Sequence, residues 1–351
     1  TVHFHLSSTL TMRIQSLLVG LMATREALGF APSLSSSPLI RSKSTTTTVA
    51  PSQIVKPSIL PSPITSASTT QLFMGWGPDP IWSTGTAESN IQSCPSGSCV
   101  SIKMKVDDGT GFIYPGQYVQ VKIAGDADAK PAFLAIASAP TGQAPKPIPK
   151  GKKAKEADIA AGPEPTTPVP ATWEFLIKKT DNNEWITNAV KGSTFDVSQV
   201  MGGGFPMADN LEGFKYDFPT QNILLFATGS GIAPIRSAIE SDQLGLGGAR
   251  TCTLYYGVRT ADDMPYVSKF PEWEERGVQV VPVVSQPDLP CESGAVWKGR
   301  TGYVQNALEE DGVQIPRNSG ALLCGVKGMA ESVKSMLDES GVFEGRVLTN
   351  F

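Results

Sequence analysis

Histidine is almost missing from this chain. The two present, His3 and His5, both precede the first methionine, Met12. A chain read from Met12 has no imidazole, which excludes histidine-based nucleophile triads and most zinc sites. Cysteine is sparse as well. Cys94, Cys99, Cys252, Cys291 and Cys324 are odd in number and scattered. That pattern points to reduced thiols in a larger intracellular protein, not to a disulfide framework. Cys94 and Cys99 are close enough to pair. No carboxylate pair has a spacing that argues for acid–base work. No internal repeat is visible. Beyond residue 78 no run is long and apolar enough to cross a membrane.

Acid is the next absence. Residues 27–78 hold no Asp or Glu and are crowded with Ser, Thr and Pro. The net charge of −4 conceals this asymmetry. Residues 1–78 carry Arg13, Arg25, Arg41, Lys43 and Lys56 against Glu26, which leaves the remainder near −8. An acidic body argues against nucleic acid as the main partner. We read Met12 as the start. The apolar run Ile14–Ala23 behind Arg13 is short, as in a signal-peptide core, and the acid-poor stretch after it has transit-peptide composition. The join "ALGFAP" resembles the signal/transit junction of algae with secondary plastids, such as diatoms. The expectation is a two-part leader over 1–78 that directs import to the plastid stroma or thylakoid surface. A disordered tail after a secretory signal is the alternative.

From about 98 to 215 the pattern is β. The segments "CVSIKMKV", "YVQVKIA", "AFLAIAS", "TWEFLIKK" and "TFDVSQV" are short runs of β-branched and aromatic residues separated by Gly, Pro and Asp. Their partial alternation fits a small barrel. The Pro-, Lys-, Ala- and Gly-rich stretch 141–171 cannot build a core and reads as a surface insertion. Its basic cluster Lys146–Lys155 is either solvated or a dock for an acidic protein. From about 220 apolar strands alternate with helical stretches at 233–244, 303–310 and 328–339, which implies a parallel sheet covered on both faces. The expected domains are the leader 1–78, a barrel over 79–218 and an α/β domain over 219–351.

"LLFATGSGIAPIRSAIE" (224–240) joins an apolar strand to a helix through a glycine turn. Pro234 suits a first helical turn, and Ile232, Ile235 and Ile239 recur at helical spacing. Such a turn aims backbone N–H groups outward at the positive end of a helix, a geometry that binds phosphate. The spacing is not GxGxxG, and by itself leaves a plain structural turn equally open.

The longer string "ATGSGIAPIRS" resembles the "GTGTGIAPFRS" of plastid ferredoxin–NADP reductases. "YYGVRTADDMPY" (255–266), "GYVQ" (302–305), "CGVKGM" (324–329) and "YPGQYV" (114–119) resemble that family's segments in the same order. Plastid FAD/NAD(P)-binding oxidoreductase-like proteins and the electron-transfer subunits of bacterial dihydroorotate dehydrogenases share "FLAIAS"-like and "MGNGF"-like segments. The resemblance spans about 98–351. It implies an FAD-binding antiparallel barrel followed by a parallel-sheet nucleotide-binding domain, the ferredoxin reductase-like fold. It also implies an oxidoreductase that passes electrons between NAD(P)H and an acceptor through FAD.

The resemblance assigns residues as well. Thr228, Gly229, Ser230, Gly231 and Pro234 would hold the pyrophosphate of the nicotinamide nucleotide. Tyr303 and Gln305 would meet its adenosine half. Cys324, with Gly325 and Met329 beside it, would lie next to the reacting nicotinamide, contributing packing and not a thiolate. "VSQPD" keeps Ser285 of the family's Ser-Arg pair for the NADP 2′-phosphate but has Gln286 in place of the arginine. Arg259 or Arg300 would have to substitute, so NADP and NAD both remain open. On the flavin side "AFLAIAS" replaces Arg-x-Tyr-Ser, with Ala132, Leu134 and Ala135 at the altered positions. Backbone groups of Leu134, Ala135, Ile136, Ala137 and Ser138 would then meet the isoalloxazine edge. "DNNEWIT" (181–187) lacks the family's glycine and brings Asp181 and Glu184, which repel phosphate. Gly202, Gly203 and Gly204 match a glycine-rich loop, and a terminal Phe351 would cover the flavin. These departures keep a second reading open: a flavin-free scaffold serving as a nucleotide sensor or as a peripheral subunit of a thylakoid complex. In that reading the 141–171 insertion or Gly75–Trp82 is the docking element.

Overall fold

The computed structural model describes residues 79–142, 167–213, 216, 218–294 and 296–350. The leader over 1–78, most of the insertion with its basic cluster, and Phe351 lie outside the described residues.

The first half is a six-stranded antiparallel sheet in the order β4-β3-β6-β1-β2-β5. Its strands are β1 (Trp82–Gln92), β2 (Cys99–Val106), β3 (Tyr118–Ile123), β4 (Ala132–Ala135), β5 (Ala171–Lys178) and β6 (Thr194–Ser198). A bridge between Ile136 and Phe175 joins the two edges, so the sheet curls into a nearly closed barrel. The bridge covers the end of β4 and leaves the rest of that edge unpaired. The barrel core holds Ile102, Met104, Phe112, Val119, Val121, Trp173, Phe175 and Val197. Two short helices, α1 (Glu184–Thr187) and α2 (Met207–Leu211), decorate it.

Strand β1 is longer than any expected from the sequence and sits in the middle of the sheet between β6 and β2. Its core-facing residues are Gly85 and Ala87. They are small because Met104 and Val197 lie directly over Gly85. A bulge between Ala87 and Ser89 shifts the register further on.

The second half is a six-stranded sheet, order β10-β9-β8-β7-β11-β12, with every pair parallel. The strands are β7 (Asn222–Thr228), β8 (Thr251–Val258), β9 (Val278–Val284), β10 (Arg300–Thr301), β11 (Ser319–Cys324) and β12 (Val347–Thr349). The helices are α3 (Ile232–Glu240), α4 (Phe270–Glu275), α5 (Val304–Asp311) and α6 (Lys327–Glu339). Pro271 lies in the first turn of α4, where a missing N–H costs nothing.

The chain runs outward from β7 through β8, β9 and β10, then returns to β11 on the other side of β7. The direction of winding therefore reverses between β7 and β11. In open α/β sheets a crevice opens at the carboxyl ends of the strands at such a reversal. The loops that form it are Thr228–Gly231 and Cys324–Val326.

The barrel is fused to this sheet by one continuous core. Cys94, Cys99, Ala137, Leu176 and Phe205 of the barrel pack with Ile232, Ile235 and Ile239 of α3. Polar ties cross the same seam. Ser237 donates to Ser138 O at 2.7 Å and Gln243 to Ile113 O at 2.7 Å. Arg236 pairs with Glu174 across the seam and with Glu240 at 2.9 Å. Its guanidinium lies 4.7 Å from the centre of the Tyr266 ring.

Candidate active site

At the end of β7 the backbone turns through a short 3-10 segment, Gly229–Gly231, directly into α3. Gly229 has φ +54° with open space where a Cβ would stand. Gly231 differs: a Cβ there would collide with the Cys324 carbonyl and Gly325. It is glycine so that the β7 and β11 loops can touch, not to admit a phosphate. Thr228 completes the contact by accepting a hydrogen bond from the Val326 N–H at 2.9 Å. Gly325, at φ +146°, could carry no side chain without striking that threonine. Tyr256 pins the turn from beneath by donating to Gly229 O at 3.2 Å.

Two cavities open from this turn. The first, of about 510 Å³, is lined by Thr228, Gly229, Ser230, Arg259, Ser285, Tyr303, Gln305 and Met329 among others. Eight residues assigned from the sequence to the nicotinamide nucleotide thus share one cleft, within the size range of ligand sites. Tyr303 is 61% exposed at its mouth, presenting a bare ring. Gln305 Oε1 is buried without a hydrogen-bond partner inside the protein. A buried orphan acceptor is costly unless a ligand donor meets it. Arg259 is exposed and held to Asp263 at 3.3 Å. Burial alone would raise the Asp263 carboxyl, but hydrogen bonds from Ser96, Thr260 and Ser98, with Arg259 beside it, hold it below its ordinary value. Arg300 is occupied elsewhere. It binds Asp311 at 2.6 Å and donates to Ala307 O, so it is not available to the cleft.

The second cavity, about 480 Å³, lies between barrel and sheet. Ala132, Phe133, Leu134, Ala135, Leu176 and Ile177 form its barrel wall, and Gly231, Pro234, Cys324 and Gly325 its sheet wall. The two cavities share Lys178, Thr228, Ser230 and Val326, and so adjoin one another. Burial pushes the Cys324 thiol up to about 12, against a hydrogen bond with the Asn350 side chain, so it is neutral near pH 7. Asn350 also approaches the barrel at Gly116, which brings the end of the described chain to the same cleft.

The flavin-side residues assigned from the sequence divide between the cavity wall and the interior. Of 134–138, only Leu134 and Ala135 reach the cavity. Ile136 and Ala137 are fully buried, and their N–H groups are already given to Gln117 O and Glu174 O. Ser138 faces α3 through its bond with Ser237. The cause is the Ile136–Phe175 closure, which turns the chain inward after β4. The Ile136 bond to Gln117 also sets the period of β4. By that alternation the backbone N–H groups of Phe133 and Ala135 point away from β3, toward the free edge. Gly202, Gly203 and Gly204 are not in the cavity wall. Gly202 lies under the Tyr118 ring and Gly204 against Pro115 O and Tyr114, while Gly203 stands in open space.

Sequence reasoning missed Phe133, Lys178, Asn183 and Asn350. Phe133 is 61% exposed, with its ring 5.9 Å from that of Tyr118. A large aromatic on a short edge strand, beside Ala132, was the available signal. Lys178 closes β5, where an apolar run ends in a cation at a strand terminus. Asn183 accepts from Thr180 N and donates to Lys178 O, which shapes the loop that Asp181 and Glu184 occupy.

Residues 225–335 match the oxidoreductase NAD-binding domain family. The fruit protein pKIWI502 of Actinidia deliciosa is 31% identical over 243 residues, 68% of this chain and 66% of its own length. A component of the Na(+)-translocating NADH-quinone reductase of Neisseria meningitidis is 31% identical over 124 residues, 34% of this chain and 30% of that component. The matches therefore leave about a third or more of each relative uncovered. The crystal structure of a ferredoxin NADP+ reductase from Neisseria gonorrhoeae, with bound FAD and NADP, superposes with a TM-score of 0.54 at 13% identity. It covers 76% of this chain and 97% of that one. The nearly closed barrel followed by a parallel sheet wound about β7 is the ferredoxin reductase-like fold, and its second half belongs with the oxidoreductase NAD-binding domains.

Proposed function

We propose that this chain is a flavin-dependent oxidoreductase that passes electrons between NADPH or NADH and an acceptor in the plastid, with FAD in the cavity between barrel and sheet. The observation that carries the reading is that the two cavities adjoin. Thr228, Ser230, Val326 and Lys178 line both cavities, so a nicotinamide entering over the glycine turn meets the space in front of Phe133–Ala135. The donor set fits both groups. The orphan Gln305 Oε1 and the empty side of Gly229 suit a nucleotide. An apolar wall with one free strand edge suits a flat ring. FAD supplies two-electron exchange with a nicotinamide and one-electron exchange with other acceptors.

The protein's part is placement. The N-terminus of α3 and the turn N–H groups hold the pyrophosphate. Tyr303 covers the adenine. Arg259, beside Ser285, faces the ribose end and would meet a 2′-phosphate. Phe133 and Leu134 keep water from the ring, and Lys178 offsets the diphosphate charge. Cys324, neutral at physiological pH, fills space beside the reacting carbon without competing for a proton. Likeness to part of an NADH-quinone reductase and to a reductase with bound FAD and NADP supports this chemistry.

The test is the visible spectrum of purified protein, with FAD added, before and after anaerobic NADPH or NADH. A flavin band that bleaches is the expected result. The flavin-free scaffold docked on a thylakoid complex has one observation in its favour. Lys178 is the only cation among the described residues lining the flavin-side cavity. Protein that binds nucleotide, takes up no FAD and co-migrates with a photosynthetic complex would establish that reading instead. For the plastid assignment, residues 12–78 fused to a fluorescent protein should carry it into the plastid. Secretion of the fusion would overturn it.

A further inference from the structure

The β1–β2 hairpin places two thiols on the wall of the nucleotide cleft. Gln92 pairs with Val100, and Ser93 N–H donates to Cys99 O at 2.9 Å, so Cys94 and Cys99 flank the hairpin turn. Gly97, at φ +66°, lets that turn close. The backbone pairing of Ser93 with Cys99 sets the two cysteines beside one another across the turn. Ser96 and Ser98 hydroxyls each lie 3.4 Å from Cys94 Sγ, and both also donate to Asp263, at 2.9 and 3.0 Å. Asp263, Ser98 and Cys99 all line the nucleotide cleft. The hydrogen bond from Cys99 lowers the Cys94 thiol, and the serines add to this against the effect of burial. Cys99 is raised by the same contact and by burial. A low-pKa thiol beside a resolving thiol is the arrangement of a redox-sensing pair.

We infer that Cys94 and Cys99 are a peroxide-sensitive dithiol whose disulfide weakens nucleotide binding in the adjoining cleft. The Cys94 thiolate attacks one oxygen of hydrogen peroxide, giving a sulfenic acid and hydroxide. The Cys99 sulfur then displaces the sulfenic oxygen, which leaves with the thiol proton as water. Two thiols are oxidised and one peroxide is reduced to two waters. A small dithiol reverses the step by thiol–disulfide exchange. Both cysteines are nearly buried, which suits a small oxidant entering through the cleft past Ser98 and Cys99 to the Cys94 sulfur behind them. With the serine protons given to Asp263, the Cys94 thiol is the donor to the serine oxygens, and the disulfide removes that proton. It thereby alters the carboxylate that holds Arg259. The coupling to nucleotide rests on the reading proposed above; the disulfide does not.

The test uses the reduced full chain, treated with hydrogen peroxide, quenched, alkylated with N-ethylmaleimide and digested. The expected peptide holds both cysteines, takes up no maleimide and has lost two hydrogens. Cys99→Ser should stop at a Cys94 sulfenic acid trapped by dimedone, and Cys94→Ser should leave Cys99 alkylatable. Both thiols alkylated in the native protein after peroxide, or a disulfide joining either to another cysteine, overturns the pair. Saturating NADP+ should make the disulfide several-fold easier to reduce at equilibrium in a dithiol redox buffer, and by reciprocity the oxidised form should bind NADP+ several-fold more weakly. Equal affinity of both forms by calorimetry overturns the coupling. No NADP+ binding by either form overturns the nucleotide reading and the coupling with it, while a disulfide that still forms sustains the pair.

Discussion

The turn after β7 and the edge of β4 face the same cleft and are built on opposite principles. At the turn the ligand-facing surface is backbone, held in place by contacts between loops. At β4 it is a wall of side chains, Phe133, Leu134 and Ala135, with Lys178 as its cation. Backbone sites need glycine, and glycine strings survive as readable text. A wall of side chains can be rebuilt with other residues while keeping its shape, so its chemistry leaves little trace in a sequence.

The sharpest way to break this comparison is to set Gly231 against Gly229. Gly231→Val drives a side chain into the Cys324 carbonyl, where only backbone could yield. We expect a loss of about 3 kcal/mol or more, enough to abolish soluble expression or lower the unfolding midpoint by many degrees. Gly229→Ala meets nothing and pays only the left-handed φ, about 1–2 kcal/mol. It should fold, yet lose nucleotide affinity, read by calorimetry. If both variants fold and bind alike, the turn is not the phosphate cradle.

Between the two regions runs the seam, and Arg236 is its centre. Removing one member of a buried ion pair costs about 3–5 kcal/mol, so Arg236→Met should destabilise by that order in urea unfolding at neutral pH. The pH dependence follows from Glu240. Burial would raise its carboxyl, but Arg236 and then Lys269 hold it below the ordinary value. A depressed folded pKa contributes stability above the unfolded carboxylate value of about 4.3, lost as pH falls through the folded value. The gap between wild type and variant should therefore be widest near neutrality and shrink below about pH 4. A gap that is constant across this range would remove Glu240 from the lock.

The same contrast explains what the sequence disclosed. The parallel sheet was legible because "NILLFAT", "TCTLYYG" and "GALLCG" are buried on both faces and read as continuous apolar runs. β1 was not, because its inward residues are Gly85 and Ala87, and the apolar bulk over them comes from Met104 and Val197. No periodicity rule sees a strand whose core contribution is an absence of side chain. In the site, eight nucleotide-side assignments converged on one cleft, since they sit on loops at the strands' carboxyl ends or in the first turns of the helices that follow. The run 134–138 diverged after Ala135 because closure with Phe175 lies about 40 residues away in sequence, and no local pattern encodes it.

A middling effect tests the wall. Lys178→Gln removes the cation lining the flavin-side cavity. A charge-assisted contact is worth about 1.5–3 kcal/mol, so FAD affinity should fall roughly tenfold or more. Fluorescence quenching of added FAD would measure it. Unchanged affinity would mean that the diphosphate lies elsewhere.

The smallest effect separates NADP from NAD. Arg259 is exposed, its guanidinium 3.3 Å from Asp263, and it lines the cleft with Ser285. Arg300 is bound to Asp311 and cannot take its place. An exposed charge pair is worth up to about 1 kcal/mol and is screened by salt. Arg259→Ala should therefore weaken NADP+ by about threefold to fivefold, more at low ionic strength, and leave NAD+ unchanged. Loss for both nucleotides would place Arg259 on the shared pyrophosphate. Loss for neither would mean that the cleft does not read the 2′-phosphate through this side chain, and that Gln286, standing where the family carries its arginine, marks a chain that accepts NAD as readily.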